Sequence, residues 1–332
     1  MAEMIKPEKL PVPAANLTAI MRLEHLGDII ACEPVIRYAQ RLRPGAPLAW
    51  IGKEAYFEAL RWHPALDFFI AAPSLAAGGR LAGKLKAAGA DVLNLHFNGQ
   101  RCFDTGEHVL NDNDPDITWR NYFRFGPLLT AFCRSAGLPP LDEAPRFYIR
   151  PEAVAPPVAG PYVVFHACSN DGRKDWLNSK WGELADFLFA RGLSVAEIGF
   201  KAAAPRAGHA LYNDLTGRRS LQSLARLMAG ADFFFGVDSG FAHLANALGV
   251  DGLVIMGRLA DFTEHLPYTG FYAEPGHIVR RPSEPAARVR PAEVIEGYLK
   301  RMRARVGPRQ ADSGPSGLAS NIKGIRPNAV AG

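Results

Sequence analysis

One stretch in the C-terminal third of the chain, residues 233–257, most restricts the fold that this sequence can adopt. Residues 233–237 are a continuous apolar run, which is typical of a strand buried on both faces of a parallel sheet. After the Asp-Ser-Gly at residues 238–240, apolar residues recur at helical spacing, and residues 253–256 form a second apolar run. The pattern predicts a β-α-β unit with Asp-Ser-Gly between the first strand and the helix.

This Asp-Ser-Gly turn is a candidate anion site. Open α/β sheets bind ligands beyond the carboxyl ends of their strands, and free amides at a helix start favour a phosphate. His243, on the first turn of the predicted helix, can donate a hydrogen bond to the same group. However, Asp238 and Ser239 are also common helix caps, and a lone histidine is more often structural. Both interpretations remain open at this point.

A second predicted β-α-β unit lies near the N-terminus. Residues 17–23 and 48–51 indicate strands, and residues 28–42 indicate the helix between them. Asp28 stands where the first strand gives way to the helix, where a carboxylate can serve as a general base or simply cap the helix. No G-x-G-x-x-G pattern is present, which disfavours a nicotinamide-dependent dehydrogenase.

A proline-rich stretch at residues 150–161 divides the chain. A length of 332 residues is enough for two domains, each with its own core. We predict a flexible N-terminal arm at residues 1–16, an N-terminal domain at 17–150, a linker at 151–161, a C-terminal domain at 162–290, a C-terminal helix at 291–306 and a disordered basic tail at 307–332.

The formal charge of +5 is concentrated at the C-terminal end. Residues 300–332 carry a net +6, which leaves −1 on the rest and argues against nucleic acid as a partner. The basic end is compatible with peripheral contact with an anionic inner membrane. Without an apolar signal segment or membrane span, and with four cysteines that show no paired or metal-type spacing, we expect a cytoplasmic protein with reduced thiols.

Four blocks of the sequence resemble the ADP-heptose:lipopolysaccharide heptosyltransferases, glycosyltransferase family 9. The first is R-x-x-x-x-G-D-x-x-x-x-x-P at residues 22–34, and the second is HACSNDGRKDW at residues 166–176 with Trp181 after it. The third is LTGRRSLQSLARLMAGAD at residues 215–232. The fourth, VDSGFAHLANALG at residues 237–249, is the most specific of the four.

The resemblance implies the GT-B architecture, an α/β fold of two Rossmann-like, doubly wound domains that face each other across a cleft. It also implies an inverting, metal-independent transferase without a cofactor. Such an enzyme moves a heptose or related sugar from a nucleotide-diphosphate donor, with ADP-heptose as the first expectation, to a lipopolysaccharide-core or other glycan acceptor, glycolipids included. The alternative is a non-catalytic sugar-nucleotide-binding or assembly protein of the same fold.

The resemblance also assigns roles to residues. Asp28 would be the general base, and Lys174 with the turn at residues 238–240 would neutralise the leaving diphosphate, since fixed donors help most where negative charge develops. The donor-binding residues that it implies are Cys168, Ser169, Lys174, Lys201, Arg219, Asp238, Ser239, Gly240 and His243. It implies no metal ligand.

The chain departs from the family pattern at several positions. Lys201 stands where the family often has a glutamate for the nucleotide ribose, and Cys168 replaces one of two hydroxyl residues. Asp251 stands where a proline is usual, and RLADFTEH at residues 258–265 replaces the usual turn. We therefore expect that the nucleotide, the sugar or the catalytic competence can differ from the family.

Overall fold

The computed structural model of the chain describes residues 1–6, 9–204, 206–217 and 219–306. The basic tail predicted at residues 307–332 lies outside the described residues. Two parallel sheets organise the described part, one built from its N-terminal half and one from its C-terminal half. No helix in these ranges is long and apolar enough to cross a membrane.

The N-terminal sheet has the strand order β1-β4-β3-β2-β5, and every neighbouring pair is parallel. The elements of this half are β1 (Glu3–Ile5), β2 (Thr18–Met21), α1 (Leu26–Ala31), α2 (Glu33–Leu42), β3 (Leu48–Gly52), α3 (Phe57–Leu60), β4 (Phe68–Ala71), α4 (Leu75–Ala87), β5 (Asp91–Asn94), the hairpin strands β6 (Gln100–Arg101) and β7 (His108–Val109), and α5 (Leu128–Ser135).

The C-terminal sheet has the strand order β10-β9-β8-β11-β12-β13 and is parallel throughout. Its half contains β8 (Tyr162–His166), α6 (Asn178–Phe189), β9 (Ser194–Glu197), β10 (Tyr212–Asp214), α7 (Leu221–Ala229), β11 (Phe233–Val237), α8 (Gly240–Leu248), β12 (Gly252–Ile255), β13 (Ile278–Val279) and α9 (Pro291–Val306). The β-α-β unit predicted from residues 233–257 is confirmed.

Each sheet reverses its strand order at one place, between β2 and β5 in the first and between β8 and β11 in the second. At such a switch point the loops leave adjacent strands in opposite directions and open a crevice at the carboxyl edge. Asp28 follows β2, whereas Ser169 follows β8 and Asp238 follows β11. The candidate residues therefore stand at the two positions where doubly wound sheets bind ligands.

The prediction of a flexible arm over residues 1–16 is wrong for residues 3–5. These residues form β1, which pairs in parallel with β4, and Ala2 beside it is 2% exposed. A three-residue strand is too short to show periodicity, and β1 forms because the otherwise open edge of β4 supplies its hydrogen-bond partners.

The single helix predicted over residues 28–42 is also wrong, because the chain forms two helices that join at Cys32. Pro34 in the first turn of α2 has no amide hydrogen, so the hydrogen-bond ladder of α1 cannot continue through it. The break leaves α1 as a separate helix of six residues.

Asp251, one of the departures from the family pattern, anchors the last helix to the C-terminal sheet. Its side chain is 8% exposed and pairs with Arg301, and Arg305 Nε lies 2.8 Å from its Oδ2. Because both arginines lie on α9, this buried carboxylate fixes the helix against the start of β12.

We predict that Asp251→Ala lowers the free energy of unfolding by about 2 kcal/mol, because it leaves two guanidinium groups without their carboxylate. Urea denaturation would measure this loss of stability as a lower transition midpoint, with an unchanged dependence of the unfolding free energy on urea concentration. Asp261→Ala is the matched control, since Asp261 is exposed and forms no ion pair with the other described residues. Equal stability of the two variants would contradict the anchoring role.

Candidate active site

The two strand-end turns meet directly between the halves of the molecule, where the first turn of α1 lies against that of α8. A Cβ atom added to Gly27 would lie 2.7 Å from His243 Cδ2 and 3.4 Å from Gly240 Cα. In the same way, a Cβ on Gly240 would lie 3.0 Å from Leu26 Cβ. Glycine on both helices therefore permits the close approach, which places Asp28 beside the Asp-Ser-Gly turn.

Asp28 is held by Arg22 and does not cap α1. The N-cap of α1 is His25, and no side chain caps the helix. Oδ2 of Asp28 pairs with Arg22, which is 4% exposed and whose guanidinium lies 4.1 Å from the centre of the Phe132 ring. Asp28 itself is 17% exposed, and its Oδ1 has no hydrogen-bond partner among the described residues. One carboxylate oxygen is thus fixed and the other is free.

His96, which follows β5, is a site residue that the sequence did not indicate. Its Nε2 accepts a hydrogen bond from the amide of Leu23 at 2.9 Å, and its Nδ1 lies 3.4 Å from Arg22 Nη1. Burial, followed by the nearby Arg22, holds the pKa of His96 well below its ordinary value. The neutral ring thereby helps to position the arginine that holds Asp28. The signal that could have indicated His96 is its position at the end of a strand that lies beside β2.

On the other side of the contact, Asp238 is the centre of a polar cluster. Lys174 Nζ lies 2.9 Å from Asp238 Oδ2, and the Tyr268 hydroxyl donates to Oδ1 at 3.3 Å. His265 Nε2 lies 3.7 Å from Oδ2, which is too long for a hydrogen bond. Asp238 is therefore an ion-pair partner and does not cap α8.

Asp238 and Lys174 each stabilise the charged form of the other. Burial by itself would raise the pKa of Asp238, but Lys174 and His265 lower it below its ordinary value. Burial would likewise lower the pKa of Lys174, but Asp238, with a smaller contribution from Asp28, raises it. Both groups are therefore charged at neutral pH, and Lys174 experiences the field of both carboxylates.

Tyr122 lies near both Asp28 and Asp238, and we call the space beside these three side chains the shared space. Burial first, and then the charges of Asp28 and Asp238, raise the pKa of its phenol above the ordinary value. Its ring packs against Phe262 of the C-terminal half at 5.2 Å between centroids. An aromatic side chain of the N-terminal half thus borders the space between the carboxylates.

The turn at residues 239–240 is open on one side and anchored on the other. Ser239 is the N-cap residue of α8, but its side chain does not cap the helix. Its Oγ lies 2.9 Å from His166 Nδ1, and burial lowers the pKa of His166 to about 3. Ser239 and Gly240 are both partly exposed. The amides at the start of α8 are therefore not sealed from solvent by this anchor.

His243 lies on the same first turn and is 3% exposed. Burial lowers the pKa of its ring to about 4, against the opposing effects of Asp238 and Asp28. Its Nδ1 is buried without a hydrogen-bond partner in the described part of the chain. At neutral pH it is therefore an uncharged ring, which packs in a tilted arrangement against Tyr268 at 4.6 Å between centroids.

The loop after β8 carries two further predicted residues, Ser169 and Cys168. Ser169 is engaged within the loop, because its amide donates to Asp175 Oδ1 at 2.7 Å and its Oγ lies 2.8 Å from the same atom. Cys168 is partly exposed, and burial, with Asp175, raises the pKa of its thiol. The opposing effect of Lys201 shows that this exposed lysine is near Cys168.

Arg219 is not part of the Asp238 cluster. It is exposed, and its Nε donates to the carbonyl of Leu215 at 2.8 Å. Glu197, at the end of β9, does not replace the family's ribose-binding glutamate either, since it is fully buried and accepts from the amide of Ala203 at 2.6 Å. No group of three or more His, Cys, Asp or Glu side chains within the described ranges is arranged to hold a metal ion.

The chain is similar to known glycosyltransferases. The profile of "Glycosyltransferase family 9 (heptosyltransferase)" matches residues 139–258. Lipopolysaccharide heptosyltransferase 1 of Pseudomonas aeruginosa is 27% identical over 275 residues, which cover 72% of this chain and 78% of the relative.

Two solved structures share the fold. A glycosyl transferase family 9 protein from Veillonella parvula has a TM-score of 0.65 at 16% identity, covering 87% of this chain and 97% of its own. E. coli heptosyltransferase WaaC with ADP has a TM-score of 0.60 at 18% identity, covering 86% of this chain and 99% of its own.

The fold is the GT-B architecture that the motifs predict, and the matching family and relatives are glycosyltransferases. More particularly, the chain is similar to the lipopolysaccharide heptosyltransferases, and its residues 139–258 match the model of glycosyltransferase family 9.

We predict that Gly27→Ala lowers the free energy of unfolding by about 1–3 kcal/mol, because the new methyl group would collide with the buried His243 ring and strain the packed helix contact. The matched control is Gly83→Ala. Gly83 lies inside α4 with nothing within 4 Å of an added Cβ, so the change should stabilise the protein by up to about 1 kcal/mol. Calorimetric unfolding of both variants tests the contact, and two stabilised variants would contradict it.

Proposed function

We propose that this protein transfers a heptose or related sugar, with inversion and without a metal ion, from ADP-heptose to a lipopolysaccharide-core or other glycan acceptor. The observation that carries the proposal is the shared space between Asp28 and the Asp238–Lys174 pair at the contact of α1 with α8. One side of this space offers a base, and the other offers positive charge for a leaving diphosphate.

Asp28 would act as the general base. Oδ1 has no hydrogen-bond partner among the residues that the structure describes, while Arg22 fixes Oδ2 and therefore the orientation of the carboxylate. In the proposed step, Oδ1 takes the proton of an acceptor hydroxyl as its oxygen forms a bond to the anomeric carbon. The bond from that carbon to the diphosphate oxygen breaks, and the diphosphate leaves with the electron pair. Attack opposite to the leaving group inverts the anomeric configuration.

Lys174 and the start of α8 would stabilise the leaving group. The Lys174 ammonium is charged and partly exposed, and the amides at Ser239 and Gly240 begin a nine-residue helix. A cationic side chain and the positive end of a helix dipole favour a developing phosphate charge without a metal ion. We further propose that residues 17–150 bind the acceptor and residues 162–290 bind the donor.

The names of the related proteins support the choice of donor. The P. aeruginosa relative is a lipopolysaccharide heptosyltransferase, and the E. coli WaaC structure contains ADP. Together these names point to ADP as the nucleotide and heptose as the sugar. We propose a cytoplasmic location at the inner membrane face, where a lipid-linked acceptor is presented.

We predict that Asp28→Asn lowers kcat by about 100-fold to 10,000-fold, because an amide cannot accept the proton, whereas ADP affinity stays within about twofold. Steady-state transfer of heptose from ADP-heptose to a core acceptor measures kcat, and calorimetric titration with ADP measures the affinity. Asp116→Asn, which alters an exposed side chain, should match the wild type in both measurements. Undiminished turnover of the Asp28 variant would remove it from the mechanism.

We predict that Lys174→Ala weakens ADP binding by about 10-fold to 100-fold, since one charge-assisted contact to a phosphate is lost. Lys84→Ala serves as the control, because Lys84 is exposed on α4 in the other half. Titration with ADP and with adenosine separates the phosphate contact from the base and ribose contacts. A loss of affinity that is equal for both ligands would contradict a phosphate role for Lys174.

A further inference from the structure

The start of α7, in the C-terminal half, is capped by a glutamate of the N-terminal half. Glu58 lies on α3, and its Oε2 accepts a hydrogen bond from the amide of Leu221 at 3.0 Å, while its Oε1 accepts one from the amide of Gln222 at 3.1 Å. The hydroxyl of Ser220, the N-cap residue of α7, also donates to Oε1. We call this contact of Glu58 with residues 220–222 the cross-half cap.

The cross-half cap supplies hydrogen bonds that a helix usually finds in its own sequence. The first amides of a helix have no partner within the helix, and a side chain nearby in the sequence commonly accepts from them. In α7, Ser220 accepts from the amide of Ser223 at 3.4 Å. The amides of Leu221 and Gln222 instead donate to a carboxylate that is 163 and 164 positions away. The start of α7 therefore depends on the other half of the molecule.

Gln222 strengthens the contact from the side of α7. It is 4% exposed, its Nε2 donates to the carbonyl of Glu58 at 3.1 Å, and its Oε1 accepts from the amide of Arg150 at 2.7 Å. One buried side chain thus joins α3, α7 and the segment that connects the two halves. Because hydrogen bonds depend steeply on angle, whereas apolar packing is non-directional, these contacts fix the orientation of α3 relative to α7.

The carboxylate of Glu58 is partly buried and is engaged by the start of α7. The positive end of the helix dipole favours a negative charge at this place. A cavity of about 390 Å³ opens beside the contact, and its lining includes Glu58 and Gln222 together with Arg61, Trp62 and Ser220. The cross-half cap therefore joins the two halves at the edge of a gap between them.

The helices that the cross-half cap joins lead directly to the proposed reaction centre. α3 packs against α1, which carries Asp28, and α7 packs against α8, which begins at Gly240. The contact of α3 with α7 thus lies beside the contact of α1 with α8. A single contact leaves two bodies free to rotate about it, whereas a second contact restricts that rotation. The cross-half cap therefore restricts how Asp28 is aimed at the opposite turn.

We propose that Glu58 is a positioning residue for the transfer step, because it holds the half that carries the base in a fixed orientation to the half that carries Lys174. The inference rests on the proposed transferase function. Glu58 would touch neither substrate, since its carboxylate is engaged by α7. Without it, each half would keep its own binding site, but the reacting groups would be aligned for a smaller fraction of the time.

Glu58→Ala should lower kcat by about 10-fold to 100-fold, because small errors of alignment slow a transfer step strongly, and should leave ADP affinity within about twofold. Steady-state heptose transfer from ADP-heptose measures kcat, and calorimetric titration measures the affinity. The matched control is Glu54→Ala, which alters an exposed glutamate four positions earlier and should match the wild type. Equal kcat values for the two variants, or an equally large loss of ADP affinity in Glu58→Ala, would overturn the proposal.

A second variant separates the alignment of the halves from the stability of α7. Glu58→Ala combined with Ser220→Asp places a carboxylate at the same helix end from the C-terminal half itself, and aspartate is a preferred N-cap residue. Thermal unfolding should show that this variant is more stable than Glu58→Ala, whereas kcat should stay low because the link between the halves is still missing. Glu58→Gln, which keeps one acceptor oxygen in place, should recover part of kcat. Wild-type kcat in the double variant would overturn the proposal.

Distances between the halves test the proposal without the transfer reaction. Nitroxide labels on ketone-bearing amino acids, introduced in the full chain at the exposed positions of Lys84 on α4 and Glu296 on α9, avoid the native cysteines. Double electron–electron resonance then measures the distribution of distances. We expect a broader or shifted distribution in Glu58→Ala and in the double variant, and the wild-type distribution in Glu54→Ala. An unchanged distribution in Glu58→Ala would overturn the proposal.

The distance measurement also keeps this proposal distinct from the proposed function, since it needs neither ligand nor turnover. If the wild-type protein transfers no heptose, the proposed function is contradicted, and the distance distributions then decide the role of Glu58 alone. A change in Glu58→Ala that is absent from Glu54→Ala would still support alignment of the two halves by Glu58, and identical distributions would overturn it.

Discussion

The contact between the first turns of α1 and α8 is the constraint on which the rest of the site depends. Gly27 and Gly240 lack side chains where the two helices touch, so Asp28 from one sheet and the Asp-Ser-Gly turn from the other reach the same space. A larger side chain at either position would separate them. Because each helix starts at the carboxyl edge of its own sheet, this contact also fixes how the two crevices face each other.

The arrangement of charges at the site follows from this contact between the two helices. Two carboxylates border one partly enclosed space, and each is fixed by a cation of its own half: Arg22 for Asp28 and Lys174 for Asp238. These ion pairs fix the position of both carboxylates and hold the two cations at the contact between the halves. The neutral histidines at positions 96, 166 and 243 position this network without adding charge, since burial lowers the pKa of each ring.

The local patterns predicted the central elements well and the edges poorly. The strand at residues 233–237 and the following helix agree with the structure because a long apolar run and helical periodicity are strong local signals. In contrast, β1 and β13 exist because neighbouring strands offer open edges, and their two or three residues carry no periodicity of their own. The break at Cys32 had a local signal in Pro34.

The sequence by itself determined the two β-α-β units and their strand-end turns, because these depend on residue type and short-range spacing. Its resemblance to family 9 implied the GT-B fold and the roles of Asp28, Lys174, Asp238 and His243. Only the tertiary structure decided which candidates meet. It joined Lys174 to Asp238 over 64 positions, left Arg219 outside, and brought His96 and His265 into the site. Such contacts arise because neighbouring parallel strands within each half bring the loops at their carboxyl ends together, and no local pattern encodes them.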